Sequence, residues 1–169
     1  QAMAIYCNIF DGGDLQEAYK RLVELVHEKD DHFCCGMIGL RMIFHVLAAF
    51  GDAELAYKMI MRTDYPSYGM WIGQNLTSLP ESFTPKTNTD TGSLNHHFMG
   101  DVSNFFITRI AGICVNPHKN DSSHVHINPN FISKLQYAKA DYETVAGIVK
   151  VMWKRISDNK IAVAVEKGN

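Results

Sequence analysis

The spacing of apolar residues changes once along the chain, and this change limits the fold more than any other feature. Up to about Val115 apolar residues recur every three or four positions, as in Met42–Phe50, which is typical of amphipathic helices. Beyond Asn116-Pro117 they alternate with polar residues, as in Val149–Lys154, which is typical of half-buried strands. The sequence therefore predicts an α+β fold, with a helical part at residues 1–115 and an antiparallel β part at residues 116–169.

Capping residues predict where the helices begin and end. Asp14–Glu17 has the spacing of a capping box at a helix start. Gly51 predicts the end of the next helix, and Asp52 predicts the cap of the one after it. Ser93 predicts the cap of a last helix that extends to Ile113. Helices joined by such short turns are expected to pack as antiparallel hairpins.

The β part shows short strands separated by turn residues. Val125–Ile127 alternates with histidines, and Ile161–Val165 predicts a mostly buried strand. Asn128–Asn130 and Ser157–Asn159 are turn signals. A few strands that end on such an apolar run leave a sheet edge without a partner, and the helices likewise carry apolar stripes that need cover. These surfaces predict either that the chain is a piece of something larger or that it associates, for example as a homo-oligomer.

Composition excludes several classes of protein. The chain of 169 residues has 16 Lys+Arg against 18 Asp+Glu, and 46% of its residues are apolar. This balance is typical of a folded domain and unlike the basic surface of a nucleic-acid-binding protein. Since no apolar run approaches the roughly 20 residues of a membrane span, we expect no membrane insertion.

Cysteine and histidine spacing gives little support for a metal site. Cys7, Cys34, Cys35 and Cys114 lack a C-x-x-C pair, so we expect buried free thiols rather than zinc or disulfides. His124 and His126 share one face of a predicted strand, with His118 nearby, but no thiol or carboxylate stands at a supporting spacing. We therefore predict no metal and no other cofactor.

The helical pattern is interrupted between Tyr65 and Gly92, and a segment of that length is often functional. It is rich in aromatic and hydrogen-bonding residues, which suit the apolar C–H face and hydroxyl rim of a sugar. Glu81 is the only carboxylate from Tyr65 to Thr89, so it is a candidate for acid–base catalysis. The alternative is an ordinary solvent-exposed loop glutamate.

Two further residues have both a structural and a functional interpretation. Trp71 is either a core residue or an aromatic platform for a sugar. His96 and His97 are adjacent, so on a helix only one of them could face a given pocket. A buried, hydrogen-bonded histidine is the structural alternative for His96.

Several short motifs, in their order and spacing, resemble the catalytic domain of bacterial α-L-rhamnosidases, glycoside hydrolase family seventy-eight. The resemblance covers nearly the whole chain. The stretches that carry it are Gly36–Gly39, Gly51–Tyr57, Tyr65–Trp71, Thr77–Glu81, Ser93–His96 and Arg109–Ile113. Thr77–Glu81 is similar to that family's Thr-Thr-hydrophobic-Trp-Glu motif, and Ser93–His96 matches its Ser-Leu-Asn-His motif.

The resemblance implies the last helical hairpins of an (α/α)6 barrel at residues 1–115 and the first strands of a jelly-roll β-sandwich at residues 116–169. It also implies an inverting hydrolase that releases terminal α-L-rhamnose from glycosides or polysaccharides. Glu81 aligns with the general base, while Trp71, Asn95 and His96 align with the sugar pocket. The partner would be an L-rhamnoside, and the compartment, cytoplasmic or exported, stays open.

This chain differs from the family pattern at two points. Pro80 stands where the family has Trp, and Phe83 replaces a second common Trp. No segment matches the family's general acid, so we expect the chain to be a fragment that is inactive in isolation. The alternatives are a non-catalytic carbohydrate-binding or assembly module, another (α/α)-barrel glycosidase, or a polysaccharide lyase.

Overall fold

A computed structural model describes residues 1–84, 92–115 and 125–168. The chain divides into two compact units, Gln1–Val102 and Ser103–Asn169. The first contains most of the helical residues, and the second contains a short helical stretch up to Ile110 followed by all of the described strands. The α+β order predicted from the two periods is therefore found. The boundary predicted after residue 115 stays a prediction.

The first unit is built from short and medium helices. In chain order these are α1 (Ala2–Tyr6), α2 (Gly12–Glu28), α3 (Met37–Ala49), α4 (Ala53–Met61), α5 (Tyr68–Gly73) and a 3-10 turn (His97–Gly100).

Helix α3 forms the centre of this unit. Leu40, Phe44 and Leu47 are completely buried, and α3 contacts both α1 and α4. From α4, Ala56 and Met59 are also completely buried. Since full burial of a large apolar side chain contributes roughly 1.5–3 kcal/mol, these residues account for much of the stability of the unit.

The helix boundaries confirm some of the predicted caps and correct others. Gly51 follows α3 with φ of 97°, as expected of a residue that ends a helix. Asp52 precedes α4, but its carboxylate accepts a hydrogen bond from the Tyr19 hydroxyl rather than from an amide of α4. The capping box at Asp14–Glu17 is wrong, because α2 already begins at Gly12 and Asp14 lies inside its first turn.

The segment predicted to be irregular contains a helix, α5. Ser67 starts it: its Oγ accepts a hydrogen bond from Met70 N at 3.1 Å and donates one to the Arg62 carbonyl at 2.6 Å. Gly69 lies against the same carbonyl, and any Cβ there would overlap the Arg62 oxygen. The start of α5 is therefore fixed by close approach to the end of α4.

The predicted helix from Ser93 to Ile113 is wrong at both ends. Helical structure is α6 (Asp101–Phe105) followed by a π-helical turn (Phe106–Ile110). Ser93 is instead hydrogen-bonded to the segment around Glu81. Gly112 then adopts φ of 84°, a left-handed conformation suited to glycine, and its carbonyl accepts from Asn128 N at 2.9 Å.

Two antiparallel sheets make up the β part. Strands β1 (Ile113–Val115) and β2 (Val125–Ile127) pair with Cys114 opposite His126. Strands β3 (Tyr137–Thr144), β4 (Gly147–Ser157) and β5 (Lys160–Lys167) form a meander in the order β3-β4-β5. The β2, β4 and β5 segments match alternation or apolar runs in the sequence, whereas β1 lies in the stretch that was predicted to be helical. β3 was missed because its apolar positions are mostly alanine.

Trp153 is the centre of the three-stranded sheet's core. Its side chain is completely buried, and its Nε1 donates to the Ile110 carbonyl at 2.8 Å. Val151, on the same face of β4, is also buried. The prediction that Ile161–Val165 is mostly buried is wrong: Val163 is 46% and Val165 is 53% exposed, because β5 has a paired neighbour on one side only among the described residues.

The four cysteines are free, but the prediction that they are buried is wrong. Cys7 and Cys34 are exposed, and Cys35 and Cys114 are half-buried. His118 and His124 lie outside the described residues, and His126 is exposed on β2. Within the described ranges, no three His, Cys, Asp or Glu side chains come together as a metal site would require, and no helix is long and apolar enough to cross a membrane.

Candidate active site

A hollow of about 240 Å³ opens on the first unit, beside Glu81. Its wall comes from four places in the chain: residues 33–37 before and at the start of α3, Tyr65-Pro66 before α5, Glu81–Thr84, and Met99. Aromatic rings and a carboxylate therefore face the same small space. Of the four residues predicted for the site, Glu81 alone lines this hollow in the part of the chain that the structure describes.

Glu81 is held by two hydrogen bonds to Ser93. The Glu81 amide donates to the Ser93 carbonyl at 3.0 Å, and the Ser93 amide donates to Glu81 Oε2 at 3.0 Å. One bond fixes the backbone and the other fixes the side chain. The carboxylate is thus oriented by a residue 12 positions away in sequence.

Two of the motifs that carry the resemblance, Thr77–Glu81 and Ser93–His96, lie side by side. The His96 amide donates to the Leu79 carbonyl at 2.8 Å, and Ser78 Oγ donates to the Leu94 carbonyl at 2.7 Å. Pro80 is buried between Leu79, whose carbonyl accepts from His96, and Glu81, whose amide donates to Ser93. Since the pairing uses the Leu79 carbonyl and the Glu81 amide, the missing N–H of Pro80 costs it no bond.

Trp71 lies behind the hollow rather than on its wall. It is 3% exposed, and its ring stacks on Phe83 with centroids 4.4 Å apart. Phe83 stacks in turn on Phe33 at 5.8 Å, and Tyr68 meets both Phe83 and Trp71 edge-on. Trp71 thus supports Phe83 directly and Phe33 through Phe83, and both of these rings line the hollow together with Tyr65. No pattern in the sequence indicated Phe33, because it lies between the periodic stretches of α2 and α3.

Asn95 and His96 lie in the turn that leads to residues 97–100. Asn95 is exposed, and its amide donates to Ser93 Oγ at 3.2 Å. His96 is half-buried, its Nδ1 accepts from Phe98 N at 3.3 Å, and its ring is parallel to that of His97 at 5.3 Å. His96 therefore caps the 3-10 turn and does not lie within a helix. It is hydrogen-bonded, as the structural alternative predicted, but only half-buried.

The same turn is anchored from two helices. The Tyr68 hydroxyl donates to the Met99 carbonyl at 3.0 Å, and the buried His45 Nε2 lies 2.8 Å from Oδ2 of the half-buried Asp101. Burial, and then the negative charge of Asp101, raises the pKa of Tyr68 far above its usual value, so this phenol stays a donor. The sequence did not reveal the His45–Asp101 pair, because the two residues are 56 positions apart.

Two thiols also line the hollow. Burial raises the pKa of the Cys35 thiol to about 11, and the neighbouring Cys34 adds to the shift. Cys35 is therefore protonated and inert near neutral pH.

An ionic network holds the chain just before the hollow. The Asp31 carboxylate accepts hydrogen bonds from Lys58 and His27, the latter at 2.6 Å. Arg62 binds Asp64 through two nitrogens, at 2.9 and 2.8 Å, and donates to the Asp30 carbonyl at 2.9 Å. This network joins the segments that precede Phe33 and Tyr65, and so it fixes the position of one wall of the hollow.

These features define a sugar-sized hollow with one oriented carboxylate on a helical-hairpin scaffold. Residues 1–110 match the family described as the bacterial alpha-L-rhamnosidase 6 hairpin glycosidase domain. Because this match covers well over half of the chain, the protein belongs to that family. The predicted family and the predicted class of fold, helical hairpins followed by antiparallel strands, are confirmed.

Individual proteins that are similar to this chain are alpha-L-rhamnosidases. An alpha-L-rhamnosidase of Alteromonas sp. (strain LOR) is 28% identical over 92% of this chain and 17% of its own length. The structure of alpha-L-rhamnosidase from Dictyoglumus thermophilum matches 98% of this chain and 18% of its own, with 31% identity and a TM-score of 0.87. The Streptomyces avermitilis alpha-L-rhamnosidase complexed with L-rhamnose matches 92% and 16%, with 25% identity and a TM-score of 0.84.

The extent of these matches bears on function. The chain spans less than a fifth of the length of each of these three relatives. It therefore corresponds to one part of these relatives, and the oriented Glu81 carboxylate lies in that part.

Proposed function

We propose that this chain supplies the base-bearing half of the active site of an inverting α-L-rhamnosidase, which releases terminal α-L-rhamnose. The observation that carries the proposal is the orientation of Glu81 by the Ser93 amide at the edge of a ring-lined hollow. Membership of the rhamnosidase family supplies the class of substrate.

Glu81 would act as the general base. In an inverting hydrolase one carboxyl protonates the leaving oxygen, while a carboxylate on the opposite face of the sugar takes a proton from water. The two groups stand roughly 6.5–9.5 Å apart to leave room for that water. A fixed amide donor on Oε2 restrains the carboxylate plane, which is what a general base needs in order to meet its water in a constant geometry.

The sugar would rest against the lining rings. An L-rhamnose ring has an apolar face that suits Phe33 and Phe83, and Trp71 holds Phe83 in place by stacking. Asn95 and His96, next to the Ser93 that orients Glu81, would donate to or accept from the sugar hydroxyls. Direct contact of Trp71, Asn95 or His96 with the sugar stays a prediction, as does the homo-oligomer expected from uncovered apolar surface.

The test is hydrolysis of an aryl α-L-rhamnoside by the full-length protein that contains this chain. We expect Glu81→Gln to lower kcat by roughly 10²–10⁴-fold, because the amide cannot accept the proton from water. The matched control is Glu143→Gln, which alters an exposed carboxylate on β3 and is expected to leave kcat unchanged. Full activity of the Glu81→Gln protein would contradict the assignment.

A second candidate function is favoured by Pro80, which replaces a Trp of the family motif. The full-length protein would then be a carbohydrate-binding module that has kept the hollow and lost catalysis. Calorimetric titration with L-rhamnose, combined with the hydrolysis assay, separates the two functions. Binding without turnover favours the module, whereas turnover that depends on Glu81 favours the hydrolase.

A further inference from the structure

The two segments that hold Glu81 pair with each other one residue out of step. The Glu81 amide donates to the Ser93 carbonyl at 3.0 Å, and the His96 amide donates to the Leu79 carbonyl at 2.8 Å. These contacts are two positions apart on the first segment and three positions apart on the second. The second segment therefore contains one extra residue, as in a β-bulge, a feature that often re-aims a side chain beside an active site.

The extra residue changes the group to which the Ser93 amide donates. In a regular antiparallel ladder, two residues that face each other in a hydrogen-bonded pair exchange both of their N–H···O bonds. The Ser93 amide would then donate to the Glu81 carbonyl, but it donates to Glu81 Oε2 at 3.0 Å. The irregular pairing thus supplies a backbone donor to the carboxylate instead of to the main chain.

Two serine hydroxyls bond to the main-chain groups that the extra residue displaces. In a regular ladder the Asn95 amide would donate to the Leu79 carbonyl, but it donates to Ser93 Oγ at 3.2 Å. The Leu94 carbonyl accepts a hydrogen bond from Ser78 Oγ at 2.7 Å. Of these two hydroxyls, that of Ser78 joins one segment to the other, and it does so at the irregular point.

We infer that Ser78 is a positioning residue for the general base. Its hydroxyl holds the Leu94 carbonyl, and this bond keeps the adjacent Ser93 amide on the Glu81 carboxylate. In the described part of the chain Ser78 is not among the residues that line the hollow, so its effect on catalysis passes through Glu81. The inference rests on the proposed function, since it needs Glu81 to act as the base.

The test is a double-mutant cycle on the hydrolysis of an aryl α-L-rhamnoside by the full-length protein that contains this chain. We expect Ser78→Ala to lower kcat roughly tenfold with little change in KM, because a small misplacement of the base slows the chemical step. In the Glu81→Gln background the same substitution is expected to have no further effect, because no base is left to position. A role in stability alone would lower kcat by the same factor in both backgrounds.

A matched pair of variants isolates the hydroxyl. Ser78→Thr and Ser78→Val introduce branched side chains of similar shape, but only the first keeps a donor for the Leu94 carbonyl. We expect wild-type kcat for Ser78→Thr and a loss of roughly tenfold for Ser78→Val. The control is Ser103→Ala, which removes an exposed hydroxyl on α6 and is expected to leave kcat unchanged.

The outcomes separate this inference from the proposed function. Equal kcat for Ser78→Thr and Ser78→Val overturns the role of Ser78 and leaves Glu81 as the base. An equal loss from Ser78→Ala in the wild-type and Glu81→Gln backgrounds does the same. Full activity of the Glu81→Gln protein overturns the proposed function itself, and the role of Ser78 with it.

Discussion

At the scale of single residues, Asp31 shows how a buried charge is used to hold the chain in place. It is 7% exposed and adopts φ of 56°, a conformation that is uncommon outside glycine. Burial by itself would raise the pKa of its carboxyl, but the hydrogen bonds from Lys58 and then His27 outweigh burial and lower it. The hydrogen bonds from Lys58 and His27 thus offset the cost of burying this carboxylate. Without these partners, Asp31 would be a buried charge with no compensation.

We expect Asp31→Asn to destabilise the chain by roughly 1–3 kcal/mol at pH 7, because Lys58 and His27 lose a charged acceptor. Asn tolerates the same backbone conformation, so the effect reports the charge. The pKa of Asp31 is lowered in the folded state, so its stabilisation is present above the unfolded value of about 3.9 and is lost as the pH falls below it.

Urea unfolding of wild type and Asp31→Asn at several pH values measures this effect. The two stabilities are expected to converge as the pH falls from about 4 through the lower pKa of the folded Asp31, where the carboxyl is protonated in both states. The control is Asp30→Asn, since the Asp30 side chain is 85% exposed and should contribute less than about 1 kcal/mol. A difference between wild type and Asp31→Asn that does not change with pH would rule out the electrostatic explanation.

At the scale of elements, α5 shows that close contact between two backbone segments can determine where a helix begins. The spacing of apolar residues does not predict this helix. It is six residues long, and its start depends on Ser67 and on the approach of Gly69 to the end of α4. The sequence predicted an irregular segment here because the apolar spacing of α2, α3 and α4 stops before Tyr65.

The two glycines of α5 give a matched test. We expect Gly69→Ala to destabilise the chain by roughly 1–3 kcal/mol, because the new methyl group overlaps the Arg62 carbonyl. Gly73→Ala meets no atom within 4 Å and is expected to be neutral or stabilising by up to about 1 kcal/mol. Thermal unfolding followed by circular dichroism compares the two; equal midpoints would show that the approach does not constrain α5.

At the scale of the whole molecule, the chain carries one catalytic carboxylate candidate and spans less than a fifth of its relatives. An inverting hydrolase needs two carboxyl groups on opposite faces of the sugar. No segment of the sequence resembles the family's general acid, so the second group is expected from polypeptide outside these 169 residues.

We therefore expect the isolated 169-residue chain to show no hydrolysis of an aryl α-L-rhamnoside above the background rate. The assay is run with the chain and with its Glu81→Gln variant at matched concentration. Turnover by the isolated chain that disappears in the Glu81→Gln variant would contradict this expectation, because it would mean that a complete acid–base pair lies within these residues.

The sequence by itself determined the order of helices and strands, the ends of several elements and the family. These features depend on residues a few positions apart: the apolar spacing in α3 and β4, Gly51 after α3, and the short motifs around Glu81 and His96. Periodicity and motif order are local properties, so they can be read without knowing how the chain packs.

Only the tertiary structure decided which residues meet. The bonds between Glu81 and Ser93, the burial of Trp71 behind Phe83, and the exposure of Val163 on an edge strand all depend on distant segments. No local pattern encodes them, because each results from the packing of the whole chain. The same reason explains why Ser93, which has the sequence of a helix cap, became the residue that orients a carboxylate.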